Sequence, residues 1–342
     1  MSPLLLDSDG HVWHLDKDKY VRFKNLESIV KITSTMALDK IGDVYIWDEA
    51  VLYEYESTTS TYSAPYKHPK LHDVTQIYEY DGNSIVVVKD RDILGFEFAS
   101  KPFITSKEST DDLIHPITAV SGEPVSLGSF DNIKKVAFDV WTNWTTGDKE
   151  LEEKYSLLVL DGNGTVHGYG LSPTWQASNS DKSFKTLNIA RVKDIAINRY
   201  HIVAITEDGS AHYFGGCDLF GRNSGGVFTS GGLDDMVSTI TNLATIEITA
   251  WDNVGKNLFL KNDGTVWLAH APLPKNRKKR ECADDSRKDR GIDAESLQIG
   301  KFPAIQIGRD YVMDSKHEIW ILNTWNGHRS LQKFEPKFLD QK

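Results

Sequence analysis

The sequence predicts an all-β fold, a seven-bladed β-propeller, on three observations. One hairpin phrase recurs seven times: an apolar strand, a turn of two to four residues rich in Asp and Gly, and a second strand carrying an aromatic residue. Six of the seven copies follow a shorter strand in which apolar and polar residues alternate. The chain ends carry leftovers, a hairpin without a leading strand at the start and strand-like residues without a hairpin at the finish. A repeated unit that cannot bury both faces alone gains a core by stacking against its copies, and blades around an axis do that.

In chain order, the first hairpin is LLLDSDGHVWHL (4–15), where the sequence opens directly on the hairpin. The second unit joins IVKIT (29–33) to MALDKIGDVYIW (36–47), and the third joins VTQIY (74–78) to IVVVKDRDILGF (85–96). The fourth is IKKVAF (133–138) with LLVLDGNGTVHGYG (157–170), and the fifth VKDIAI (192–197) with IVAITEDGSAHYFG (202–215). TIEITAW (245–251) leads LFLKNDGTVWLA (258–269), and AIQIG (304–308) leads YVMDSKHEIWIL (311–322). Alternation with β-branched enrichment marks each leading segment as a strand. SLQKFEPKFL (330–339) has no hairpin of its own, and pairing the two ends in one shared blade would close the ring and remove both orphan edges. The whole chain, 1–342, reads as one domain with loop elaborations at about 49–72, 103–129, 140–154 and 271–300, whose composition buries little apolar surface. Helix signals are weak, and only the charged run 149–154 suggests a short turn.

Composition excludes several classes. A formal charge of −10 and a pI near 5.6 argue against a broad nucleic-acid-binding surface. Cys217 and Cys282 cannot build a disulfide framework, and nothing near them has zinc-ligand spacing. The opening MSPLLLDSDGHVW lacks the basic and apolar regions of a signal peptide, and no apolar run approaches a membrane span. A cytoplasmic protein is expected, with a nuclear location if the basic run KNRKKR (275–280) acts as a localisation signal; a solvated loop is the commoner meaning of such a run. Asn143-Trp-Thr145 and Asn163-Gly-Thr165 fit the glycosylation pattern and, without a secretion signal, read as chance.

One unit carries a family resemblance. The stretch VKDIAINRYHIVAITEDGSAHYFGGCDLFGR (192–222) resembles the repeat of the regulator of chromosome condensation (RCC1-like) family. His201 stands where that repeat has its His, Glu207-Asp208-Gly209 at its turn, and Gly216 and Gly221 at its later glycines, with one inserted residue near Phe214 and Gly215. Asp161-Gly162, Asp263-Gly264, Trp267 and Trp320 keep parts of the pattern in other units, while the small residues that end the repeat's first strand are replaced by Ile197-Asn198 and Ala250-Trp251. The resemblance implies a seven-bladed propeller. It does not by itself imply one function, since members act as exchange factors for a small GTPase, chromatin and ubiquitin-ligase modules or enzyme inhibitors, and no exchange wedge maps onto this chain.

No catalytic motif appears: no nucleophile elbow, P-loop, dinucleotide fingerprint or paired zinc histidines on a helix. Asp7-x-Asp9-Gly10 is read as a hairpin turn rather than a calcium loop, because the later bidentate Glu is missing. His11, His14, His167, His201 and His212 fall at hairpin positions that other units fill with other residues, so they read as packing or surface groups; no cofactor and no metal is expected. Trp13, Trp47, Trp267 and Trp320 are assigned to the core.

The turn from leading strand to hairpin is the candidate binding surface. It collects Tyr78, Tyr80 and Asp81, then Asp139, Trp141 and Trp144, then Asn198, Arg199 and Tyr200, then Trp251, Asp252 and Asn253, then Arg309, Asp310 and Tyr311. Tyr, Trp and Arg are the types that dominate binding hot spots, and acidic neighbours favour a basic partner. Strand-end aromatics can equally plug gaps between blades. The expected function is therefore non-catalytic binding of a protein partner with a basic surface, by a chain monomeric on its own, as a stoichiometric inhibitor or toxin-neutralising protein. The alternatives are an exchange-factor-like regulator of a small GTPase, or a carbohydrate-binding or hydrolytic propeller using its central channel.

Overall fold

The computed structural model describes residues 4–16, 19–47, 49–53, 58–80, 83–96, 115–117, 124–143, 152–170, 184–187, 189–197, 202–214, 236–237, 242–248, 256–270, 297–299, 302–308, 311–323 and 330–339. The fold is an all-β propeller of seven blades. The chain forms two compact units, one of Met1–Ile133, Thr142–Glu153 and Pro336–Lys342, the other of Lys134–Trp141 and Lys154–Glu335.

In the first unit, blade one consists of Leu5–Leu6, Val12–Asp16 and Lys19–Arg22. Blade two is Ile29–Ile32, Met36–Asp39, Val44–Ile46 and Tyr66–Lys67, and blade three is Val74–Tyr80, Asn83–Val88, Asp92–Phe96 and Val125–Ser129. Blades four to seven open on the leading strands Ile133–Asn143, Val192–Ile197, Leu243–Ile248 and Ala304–Ile307, each followed by three more strands. Every register described within a blade is antiparallel, as short turns between consecutive strands require.

The Asp-Gly turns are built alike. Asp39, Asp161 and Asp314 each accept, through one carboxylate oxygen, the backbone N–H groups two and four residues on, at 2.9–3.0 Å. Asp7 does the same for Asp9 and His11, so Asp7-x-Asp9-Gly10 is a hairpin turn whose carboxylate already serves its own backbone. The turn glycine then carries the next blade. Gly164, at φ +79, offers its carbonyl to Val192 N–H at 3.0 Å, and a Cβ there would lie 2.9 Å from Val192 O. Gly10, Gly42, Gly209 and Gly264 repeat the contact with Ile29, Val74, Leu243 and Ala304. Only glycine meets both the left-handed backbone and the close approach.

In five hairpins the residue six places after the turn-opening one is its side-chain partner. Trp13 and Trp320 donate Nε1–H to Asp7 and Asp314, His167 Nε2 lies 3.1 Å from Asp161, His212 lies 3.3 Å from Thr206, and the Lys261 ammonium sits over the Trp267 ring. Trp13, Trp267 and Trp320 are half-buried lids on their turns. Trp47 stands two residues further along its hairpin and is the fully buried one, donating to Ser34 O at 2.8 Å.

Several expectations change. Glu49–Tyr53 and Thr58–Tyr62 pair as a hairpin, and His115–Ile117 pairs with Glu49–Tyr53, so parts of two supposed loops share a small extra sheet. The run 149–154 is no helical turn from 152 onward, because Glu152–Asp161 is a strand. The tail also splits: Ser330–Lys333 is the last strand of blade seven, whereas 336–339 runs beside Lys19–Arg22. There Tyr20 N–H donates to Lys337 O at 2.7 Å and Leu339 N–H to Tyr20 O at 3.0 Å, a parallel pairing on the outer side of blade one. The ends do meet, but the tail does not replace the leading strand that blade one lacks among the described residues. No helix among the described residues is long and apolar enough to cross a membrane.

Candidate interaction surface on the leading strands

The leading strands carry a bulge. In all five whose register is described, the pairing slips between the first and third residues: Ile29/Lys31, Val74/Gln76, Val192/Asp194, Leu243/Thr245 and Ala304/Gln306. A bulge re-aims the side chain that follows it. That side chain is polar every time, and Lys135 holds the same place in blade four.

In the first unit these residues form a relay. The Lys31 ammonium sits 4.2 Å from the centre of the Tyr78 ring, a cation–π contact. The Tyr78 hydroxyl donates to Gln76 Oε1, and Gln76 Nε2 donates to the Ile133 carbonyl at 2.8 Å. Next to Tyr78, Glu79 accepts Thr35 N–H at 2.9 Å and the Thr35 hydroxyl at 3.0 Å, capping the turn of blade two.

In the second unit Asp194 is the hub. Its carboxylate takes the Lys135 ammonium at 2.7 Å, Ile246 N–H at 2.9 Å and the Thr245 hydroxyl, joining three leading strands. Lys135 also lies 3.7 Å from Glu247. Gln306 donates to the Tyr311 hydroxyl at 2.9 Å. Burial pushes the Tyr311 phenol pKa up, and the negative charge of Glu247 pushes it further; the Gln306 bond only partly offsets both. The Tyr311 ring lies over Gly308, where a Cβ would come within 2.0 Å of it.

The predicted surface residues are placed as follows. Tyr78 and Tyr311 are half-buried and held by the contacts above. Asp139 is buried, at 2% exposure, in the strand Ile133–Asn143. Tyr80 ends the strand Val74–Tyr80 opposite Asn83, and Trp141 lies within Ile133–Asn143, so both sit on strands rather than in a turn. Trp144, Arg199, Tyr200, Trp251, Asp252, Arg309 and Asp310 lie outside the described residues. Sequence reading passed over Lys31, Gln76, Lys135, Asp194, Thr245 and Gln306, although a polar residue two places into every leading strand was there to be seen.

This arrangement, seven short antiparallel blades of which five offer a turn-glycine carbonyl to the next leading strand, can be set beside known proteins. No protein-family model matches the chain, and no curated protein does. Solved structures do: yeast RCC1 (Prp20), in its crystal with Kap60, superposes with a TM-score of 0.51 at 14% identity, over 89% of this chain and 73% of that one. The fold is that of an RCC1-like propeller. Prp20p from Saccharomyces cerevisiae, in a second structure, gives a TM-score of 0.47 at 16% identity over 84% of this chain and 69% of its own. Human WBSCR16 gives 0.48 at 13% identity, over 94% and 88%.

Proposed function

We propose that this propeller is a non-catalytic protein-binding module whose contact surface is the hairpin-facing end of its leading strands. The observation that carries the reading is the fixing of Tyr78 between the Lys31 ammonium and Gln76. An aromatic side chain already held in one rotamer loses little conformational entropy on docking, so more of its buried area appears as affinity. The RCC1 propeller that this fold resembles is itself found in a complex with a protein, Kap60, which supports a binding role for the same architecture. With a formal charge of −10, the chain favours a partner with a basic surface and speeds its encounter. The mode of action we infer is occlusion, in which a preformed surface covers the partner's working face as a stoichiometric inhibitor would.

The test is affinity capture from the native lysate with wild type, Tyr78→Ala and the Trp144→Ala/Trp251→Ala double variant, each first shown to be folded by circular dichroism. One protein retained at 1:1 stoichiometry by wild type and lost from the folded variants is the expected result. Equal retention by all three would move the contact surface elsewhere. A captured small GTPase whose bound nucleotide is released faster by the propeller would replace occlusion with exchange.

A further inference from the structure

Asn163-Gly164 sits at the tip of the blade-four hairpin. In an Asn-Gly pair the glycine nitrogen readily attacks the side-chain amide before it, because no Cβ stands in the way. Asn163 is exposed, whereas Gly164 is buried. Gly164 N–H donates to Asp161 O at 3.1 Å and closes the turn, and Gly164 O accepts Val192 N–H at 3.0 Å from the leading strand of blade five. One oxygen of Asp161 also takes Asn163 N–H and Thr165 N–H, each at 2.9 Å. The nucleophile is thus the nitrogen whose N–H holds the turn, on the residue that stitches two blades.

Equivalent hairpins show which products this turn can take. The same two places hold Asp9-Gly10 in blade one, Asp208-Gly209 in blade five and Asp263-Gly264 in blade six. Each of those glycines still offers its carbonyl to the next leading strand, at 2.8–3.1 Å. Asp208 and Asp263 accept the N–H two residues on, at 2.9–3.0 Å, so an aspartate suits the place. An isoaspartate does not. Its main chain runs through the side-chain carbons and is longer by one bond, about 1.5 Å. Gly164 has no slack for that shift, since even a Cβ there would lie 2.9 Å from Val192 O.

We propose that Asn163 is a site of spontaneous deamidation, gated by opening of its turn, and that the isoaspartate product unstitches blade four from blade five. The step balances with water alone. Gly164 N gives up its proton and bonds to Asn163 Cγ, the side-chain nitrogen leaves as ammonia, and a five-membered succinimide forms. Water then opens the ring: cleavage at Cγ gives aspartate, and cleavage at the Asn163 backbone carbonyl gives isoaspartate. While the turn is closed, its bond to Asp161 O holds the nitrogen and its proton in place, and the reaction is slow. Local opening frees both, and an isoaspartate formed then keeps the turn from closing as before. None of these residues belongs to the Tyr78 relay, so the site is independent of the binding surface above.

The intact protein and a synthetic peptide of residues 158–168 are aged side by side in mildly alkaline buffer. Peptide mapping by mass spectrometry reads Asn163 apart from the chain's other Asn-Gly pair, Asn326-Gly327, and isoaspartate-specific methylation separates the two products. Asn163 should convert more slowly in the protein than in the peptide, by on the order of tenfold or more. Urea below the unfolding transition should raise the protein's rate in step with hydrogen exchange of the Gly164 amide. Aged molecules carrying isoaspartate should exchange the Val192 amide fast, whereas an Asn163→Asp variant keeps it protected. Three results would overturn the proposal: equal rates in protein and peptide, a rate indifferent to urea, or a Val192 amide still protected in the isoaspartate fraction. The first two would mean that the turn does not gate the reaction, and the third that the stitch survives it.

Discussion

The Lys135 ammonium lies 2.7 Å from the Asp194 carboxylate, and the two residues belong to the leading strands of consecutive blades. Asp194 is buried at 6% exposure and also takes Ile246 N–H and the Thr245 hydroxyl. One carboxylate thus fixes the spacing of three blades. Asp194→Ala removes the acceptor shared by the Lys135 ammonium, the Thr245 hydroxyl and the Ile246 amide, and should destabilise the fold by about 3 kcal/mol or more. Asp194→Asn keeps the shape and should lose less. Urea unfolding of the two variants beside wild type measures the difference; equal stability of all three would remove Asp194 from the hub.

The turn glycines predict opposite outcomes at equivalent positions. Gly164→Ala forces an L-residue to φ +79 with its Cβ 2.9 Å from Val192 O, and should cost about 2 kcal/mol. In the seventh hairpin the corresponding residue is already His317, exposed at φ +62. The exposure of His317 leaves room for a side chain there. His317→Gly should be neutral or stabilise by up to about 1 kcal/mol by relieving that backbone angle. Thermal unfolding of the pair decides the matter.

These relationships also show what was legible in the sequence. The seven hairpins could be read because strand alternation and Asp-Gly turns are local signals, settled within a dozen residues. The small sheet could not: His115 pairs with Val51, and no local pattern marks a partner so far along the chain. A Ser/Thr/Tyr-rich segment also looks like a loop by polarity, although Thr and Tyr suit strands. Trp47 was grouped with Trp13, although it lies eight residues, not six, after its turn-opening aspartate, and that shift of two places takes it into the core. At the candidate surface the sequence picked out Tyr78 and Tyr311 by type. Their supports, Lys31, Gln76 and Gly308, became visible only once bulges and neighbouring blades fixed who faces whom.

The turn carboxylates should make stability fall in acid. Burial alone would raise the pKa of Asp161, but N–H donation from Thr165 and Asn163 and the neighbouring His167 outweigh it and hold the group below its ordinary value. Asp314 is lowered in the same way, with Glu318, Trp320 and Lys316 outweighing burial. A folded pKa below the unfolded one means stabilisation fully present above the unfolded value and lost as pH falls through the folded one, here below roughly pH 4. Wild type should therefore lose stability between roughly pH 5 and pH 2, and Asp161→Asn/Asp314→Asn should show a shallower loss over that range. Chemical denaturation at stepped pH provides the test, and parallel curves would refute it.

Glu247 and Tyr311 can be separated by titration. Burial is the larger cause of the raised Tyr311 pKa and the Glu247 charge the smaller. Glu247→Gln should bring the phenol part of the way down, toward its ordinary value. Gly308→Ala, whose new methyl would meet the ring at 2.0 Å, should displace the ring and bring it down further. Tyrosine-selective isotope labelling and NMR titration at alkaline pH would read both. A Tyr311 pKa unchanged in Gly308→Ala would mean that the ring does not rest on that glycine.

The tail segment 336–339 guards an edge, and Phe338 is its anchor. Its ring meets Trp13 edge-on at 4.9 Å and Tyr20 at 5.8 Å, while the flanking backbone pairs with Tyr20. Tyr20 is 2% exposed, and burial pushes its phenol up to about 12, so a hydroxyl otherwise open to water is enclosed here. Phe338 itself remains 47% exposed, so Phe338→Ala should cost about 1 to 2 kcal/mol, less than loss of a fully buried ring. Removal of residues 336–342 should do more, because the strand Lys19–Arg22 would then present unpaired N–H and C=O groups to any other strand. The truncated chain is expected to self-associate as concentration rises, whereas Phe338→Ala stays monomeric with altered Trp13 fluorescence. Sedimentation velocity on the two proteins distinguishes loss of packing from loss of edge protection, and a monomeric truncated chain would show that the tail contributes packing alone.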